Sequence, residues 1–400
     1  MLIDMSFLMR TNSIIINGFI QTINKVRGCF MKTKIDYRFK ILYAVGMIMV
    51  VCGHCSGGGI SFLVSDWFPY EGLHLPLFVF CSGYFYKKSS EDNTKRYIVK
   101  KIKTLILPLY LYTVFYGILV QLLRYKGFTI GGDITLVNLL GAPITDGHQF
   151  VYNLGGWFVV PLFMIEIFNI VVRKLCSLIK DDISEIVFFF ASILLGLIGN
   201  TMACNGLLYG WWLALVRMLY FVPFFELGIF YKNVLEKYDK LPNFWYFTIL
   251  FLTRLIIIYV YGKNLSYTPA WCNDFTEGPV MPIVIGFLGI ALWMRIATLM
   301  EPVLGKSKWI NLIADNTYSI MMNQFLGFML VKTVYACISK CNIGFADFDW
   351  LSYKSNIWWY YIPKGIYHTL IIYAVAGIAF SILLQKAIDI VKYKFVELMR

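Results

Sequence analysis

Apolar residues along this chain gather into long runs, each broken by charge, glycine or proline. A helix rises about 1.5 Å per residue and needs about 20 apolar residues to cross a hydrocarbon core, so runs of that length predict membrane-spanning helices. Ten occur, at 39–55, 67–86, 105–123, 152–172, 185–203, 209–231, 244–261, 279–299, 317–336 and 366–390. The longest connections among them, 124–151 and 337–365, are too short to form domains of their own. The expected fold is therefore all-α, a polytopic integral membrane bundle of about ten transmembrane helices, with its chemistry among the helices or at their ends.

Lys and Arg set the expected orientation, because cations resist translocation. An even number of spans puts both termini on one side. The loops on that side, with the two terminal segments, hold 27 of the 36 Lys and Arg residues, whereas the opposite loops hold Arg124, Lys126, Lys263, Lys340, Lys354 and Lys364. This places both termini in the cytoplasm and the protein in the cytoplasmic membrane. Residues 1–33 read as an N-terminal cytoplasmic extension, 34–392 as the transmembrane domain and 393–400 as a cytoplasmic tail. The extension's apolar stretch at 14–23 is too short to span and lacks the pattern of a signal peptide, and Met31 is a second candidate start.

Composition strengthens this picture. The chain is 59% hydrophobic and 15% charged, more apolar than a soluble core requires. Many of its Tyr and Trp residues fall at the edges of the apolar runs, where amphipathic rings favour the interface. The net charge of +13 does not indicate nucleic acid, because the cations are divided among short loops rather than gathered on one solvated face. The nine cysteines show no His-supported ligand spacing, so neither a metal site nor a disulfide framework is expected. Cys52-Gly53-His54-Cys55 spells a thiol oxidoreductase motif but ends an apolar run, without the strand and helix start that would activate a thiol.

Polar side chains inside spans are costly and are functional candidates by default. Here they are His54, His74, Glu166, Arg217, Glu226, Arg254 and Gln324. Arg217 is expected to pair with a carboxylate in the bundle, Glu166 or Glu226. His54 lies about 24 Å along its helix from Arg38, near the outer end, and antiparallel packing brings His74 to a similar depth. An imidazole there suits proton removal from a hydroxyl during acyl transfer; the plainer role is a hydrogen bond holding two helices together. Lys100, Lys101 and Lys103 lie on the cytoplasmic side, where they attract phosphates or simply mark topology.

Several segments resemble the acyltransferase-3 family of membrane-embedded enzymes that acylate carbohydrates and related molecules. Asp36-Tyr37-Arg38 and Val50-Val51-Cys52-Gly53-His54 are similar to its first helix, which ends in a functional His. His74-Leu75-Pro76-Leu77-Phe78 followed by Ser82-Gly83-Tyr84-Phe85 resembles its most specific signature. Segments around Lys100, Gly156-Trp157-Phe158, Phe221-Val222-Pro223 and Asn316-Thr317-Tyr318 extend the likeness over about residues 34–390. The chain departs from the family pattern in having Tyr43 where relatives carry a cation eleven positions before the His, Thr104 in place of a second Arg, and Gln324 where many carry His.

The resemblance implies transfer of an acyl group, usually acetyl, from cytoplasmic acyl-coenzyme A, a substrate rather than a bound cofactor, to a hydroxyl of a glycan or lipid-linked sugar. His54 and His74 would be the catalytic residues and Arg38, Lys100, Lys101 and Lys103 the donor-binding cations, with Tyr43, Glu166, Arg217, Glu226 and Gln324 shaping the cavity. Two other functions compete. A transporter of glycan or lipid-linked precursors would also use buried charges, but the expected internal symmetry is not visible. An inactive relative serving as a membrane partner would explain the changes at Tyr43 and Gln324.

Overall fold

The computed structural model describes residues 35–56, 73–179 and 183–398. Every regular element among them is helical, and nine helices are long and apolar enough to cross a membrane. The protein is a multi-pass membrane protein built as an all-α bundle. The expected extension at 1–33 lies outside the described residues.

Helix α1 covers Tyr37–Ser56. Helix α2, His74–Tyr84, is the described part of the run at 67–86; that run's first residues lie outside the described ones. Helices α3 (Thr94–Lys101) and α4 (Leu107–Tyr125) are joined by a wider π turn at Ile102–Ile106. Pro108 lacks an N–H, and its ring crowds the carbonyl four residues back, so a locally widened turn is the expected response. The helix thus begins earlier than the apolar run at 105–123, and the basic approach to it is helical.

The remaining long helices are α5 (Val159–Ile179), α6 (Glu185–Cys204), α7 (Gly210–Phe230), α8 (Asn243–Tyr261), α9 (Met281–Leu304), α10 (Thr317–Lys340) and α11 (Leu370–Leu398). Most begin and end within a few residues of the apolar runs, since backbone groups in hydrocarbon must be satisfied inside the helix.

Helix α7 is the central post, with most of its length buried, while α8 turns most of its residues outward. Outward-facing apolar side chains such as Leu111, Phe190, Ile256 and Val375 are exposed, as a lipid solvent allows. Helices α2 and α7 meet through glycines. A Cβ on Gly83 would lie 1.9 Å from the Phe225 carbonyl oxygen, and one on Gly228 would lie 2.2 Å from that of Phe80. Small residues permit this backbone approach, which replaces a hydrophobic drive that lipid cannot supply. The contact holds α2 beside the bundle axis, with α1 packed against it through the Tyr43 and Phe78 rings.

Polar contacts mark both ends of α1. At its start, Arg38 donates to Glu236 at 2.6 Å and Lys40 pairs with Asp315. At its end, the His54 carbonyl accepts a 2.6 Å hydrogen bond from Tyr360 in the loop before α11. Burial pushes the Tyr360 phenol well above its ordinary range, keeping it a donor.

Candidate active site

A cavity of about 680 Å³ opens between α1, α2 and the loops at the far end of the bundle from Arg38. Tyr43, Met47, Val50 and His54 supply its α1 wall, at the spacing of one helical face. His74, Phe78 and Ser82 supply the α2 wall at four-residue intervals. From Tyr43 to His54 the wall runs about 16 Å along the helix axis, at about 1.5 Å per residue. The Tyr43 level is also lined by Leu105 and Tyr318, and the His54 level by His148, Trp271 and Trp358.

His54 and His74 therefore share one cavity. The His54 Nδ1 lies 3.1 Å from Gln324 Oε1 on α10. Gln324 is fully buried, and its Nε2 donates to the Met321 carbonyl at 3.3 Å. That bond orients the amide with its oxygen toward the imidazole, so Nδ1 carries the proton and Nε2 keeps its lone pair. Gln324 thus stands behind the histidine and selects its tautomer. Phe325 and Trp358 pack against the ring at 5.1 and 5.9 Å between centroids.

The other candidates are placed outside the cavity wall. Lys101 pairs with the buried carboxylate of Glu166 at 2.5 Å, and Lys100 and Lys103 are exposed. Glu226 accepts from Arg173 at 2.7 Å, and Arg173 also reaches Glu185 at 2.8 Å. Arg254 donates to the Leu265 carbonyl at 2.7 Å.

The expected pairing of Arg217 with Glu166 or Glu226 is corrected. Its Nε and Nη2 donate to the Ala270 carbonyl, its Nη1 donates to the Asp146 carbonyl at 3.1 Å, and its guanidinium lies 4.8 Å from the Trp157 ring centre. Glu226 is nine residues further along α7, about 13 Å deeper, where α5 presents Arg173 instead. Arg217 binds two loops together at the cavity mouth rather than neutralising a carboxylate.

His148 lines the cavity too, and the pattern of apolar runs offered no sign of it, because it sits in a loop with no periodicity. Its Nδ1 lies 2.9 Å from Asp146 Oδ1, and its ring stacks on Trp271 at 4.3 Å. This hydrogen bond holds the Asp146 carboxyl below the usual carboxylate range. The one local signal was Asp146-Gly147-His148 itself, an acid two residues from a histidine across a turn-forming glycine. Among the described residues no cluster of His, Cys, Asp and Glu is placed to hold a metal ion. No disulfide joins the described cysteines, and Cys52 and Cys55 sit buried in α1.

Three histidines around a largely apolar cavity, two with their tautomers set by an amide or a carboxylate, are equipped to move protons. The acyltransferase-3 family model, described as an acyltransferase domain, matches residues 36–386. No curated protein and no solved structure matches the chain.

Proposed function

The chain belongs to the acyltransferase-3 family, and from that premise we propose that this membrane acyltransferase moves an acyl group, acetyl in the simplest case, from cytoplasmic acyl-coenzyme A to a hydroxyl of a cell-surface glycan or its precursor. The observation that carries this reading is the cavity whose far level presents the His54 Nε2 lone pair, with Nδ1–H directed to Gln324.

In the proposed reaction the acceptor oxygen attacks the thioester carbonyl carbon while His54 Nε2 takes the hydroxyl proton. The new C–O bond forms, the C–S bond breaks, and the imidazolium returns its proton to the departing thiolate, so that ester and thiol are the products. Gln324 keeps the ring in the tautomer that can accept a proton, and Trp358 and Phe325 keep it in place. His74, on the facing wall, is close enough in the fold to border the same reactants.

Among the described residues the cavity wall includes no Lys or Arg, and Tyr43 occupies the position where the resemblance places a cation. The donor's nucleotide therefore stays at the basic end, and only its acyl-bearing arm passes Leu105 and Tyr318. Lys101 is committed to Glu166, which leaves the exposed Lys100 and Lys103 to attract phosphate. Replacing both with Gln is expected to raise the donor KM about three- to tenfold and to leave the acceptor KM unchanged. An unchanged donor KM in correctly inserted protein would reduce these lysines to topology signals.

The same orientation puts Asp92 in the cytoplasm, because 27 of 36 cations lie on that side. With Asp92→Cys in intact cells, an impermeant thiol reagent is expected to leave position 92 unlabelled while reaching the exposed Cys337 and Cys341 at the far end of α10. Labelling at 92 would invert the topology. The function itself is tested by supplying labelled acetyl-coenzyme A to membranes containing the protein and following both thiol release and label in the envelope glycans. Label in the glycan fraction is expected. Its absence, with folded protein present, overturns the reading and favours an inactive partner; acceptor movement across the membrane without any donor would favour the transporter.

A further inference from the structure

The far mouth of the cavity carries polar and aromatic groups that proton transfer at His54 does not use. Trp271 is 45% exposed and has one indole face covered by the His148 ring, stacked at 4.3 Å with 18° between planes. His148 gives its Nδ1–H to Asp146 at 2.9 Å, which leaves Nε2 as a hydrogen-bond acceptor beside a half-exposed carboxylate. Gly147 makes this arrangement possible. Its φ of +82° suits glycine, and a Cβ there would lie 2.5 Å from that of Trp157.

The group is built rather than incidental. Arg217, 1% exposed, donates to the carbonyls of both Asp146 and Ala270, so one guanidinium sets the distance between the loop bearing His148 and the loop bearing Trp271. Two non-glycine residues with positive φ flank the same mouth, Val151 at 63° and Cys272 at 52°. Such conformations cost energy, more so for a β-branched residue, and persist where surrounding structure enforces them.

We propose that Trp271, His148 and Asp146 form the acceptor subsite of the cavity. The uncovered indole face carries the apolar C–H face of a pyranose ring, while His148 backs the opposite face and Asp146 holds His148 in place. A ring hydroxyl is thereby turned toward His54. A sugar ring has an apolar face, and an aromatic plate fixed from behind at the mouth of the cavity matches it. The subsite takes its reaction from the function proposed above, but its affinity for sugar stands apart from turnover.

The test uses the full-length protein purified in detergent, with methyl hexopyranosides of gluco, galacto and manno configuration as probes and acetyl-coenzyme A as donor. Saturation-transfer NMR reads binding, and steady-state kinetics reads the two KM values separately. Trp271→Ala is expected to weaken sugar binding and raise the acceptor KM by about tenfold, the scale of one lost aromatic contact, and His148→Ala and Asp146→Asn, which release the plate from its backing, are expected to raise the acceptor KM about threefold. The donor KM stays at the wild-type value, and Trp271→Phe, which keeps an aromatic plate, recovers most of the binding and guards against a folding artefact. If the wild type binds sugar yet transfers no acyl group, the proposed function fails and the subsite stands. If the wild type acylates a probe and these variants keep its acceptor KM, the subsite is wrong and the three residues only brace the loops. A wild type that binds none of the probes overturns the pyranose assignment.

Discussion

Replacing His54 with Ala is expected to lower acyl transfer per folded molecule by about 10²- to 10⁴-fold, the usual loss when a positioned base is removed. The expectation rests on the orientation of the ring as much as on its presence. Gln324 accepts from Nδ1 because its own amide nitrogen is occupied by the Met321 carbonyl, so the proton-accepting nitrogen is Nε2. Gln324→Leu removes that selection without removing the base, and its loss is therefore expected to be smaller than that of His54→Ala. A histidine that merely packed between Phe325 and Trp358 would behave differently: His54→Ala would reduce the folded yield and leave specific activity nearly intact. Turnover normalised to folded protein in the membrane separates the two. Near wild-type turnover in His54→Ala would rule out the proposed mechanism and shift attention to His74.

The second large effect is on stability. Arg173 is 6% exposed and bridges Glu226 at 2.7 Å and Glu185 at 2.8 Å, with its Nε donating to Asn169 and the Phe188 ring 4.2 Å away. Removing one partner of a buried pair leaves the other charged and desolvated, a loss of about 3–5 kcal/mol. Arg173→Met is expected to cost that much, seen as a lower unfolding midpoint and a reduced folded yield. Glu226→Gln should cost less, because Arg173 retains Glu185. Combining Arg173→Met with Glu226→Leu removes both buried charges and should recover much of the loss, since a well-packed apolar pair often matches a buried ion pair. A double-mutant cycle on thermal midpoints in one detergent measures the coupling. Strictly additive effects would mean that Arg173 and Glu226 do not stabilise each other.

The positions of the long helices were legible in the sequence, because each is set by a local quantity, the length of an apolar run against the thickness of a bilayer. The runs at 185–203 and 244–261 correspond to Glu185–Cys204 and Asn243–Tyr261 almost residue for residue. His54 and His74 were also legible as cavity candidates: each stands out as a polar group in an apolar run, and helical rise gives its depth without reference to neighbours. Partner choice was not legible in this way. Arg217, Arg173, Glu166 and Glu226 are all buried cations or carboxylates in spans, and nothing local says that Glu226 meets Arg173, that Glu166 meets Lys101, or that Arg217 donates to the Ala270 and Asp146 carbonyls. Those pairings depend on which helix faces are turned toward each other, which the glycine contact of α2 with α7 helps to set. His148, Trp271 and Trp358 come to the cavity from three separate loops, where no periodicity marks a buried face. The sequence by itself determined the helices, their spans and the depth of the first two histidines, because hydrophobic length acts locally. Only the tertiary structure decided the ion pairs, the tautomer of His54 and the aromatic mouth of the cavity, because each depends on groups far apart in the chain meeting at one point in space.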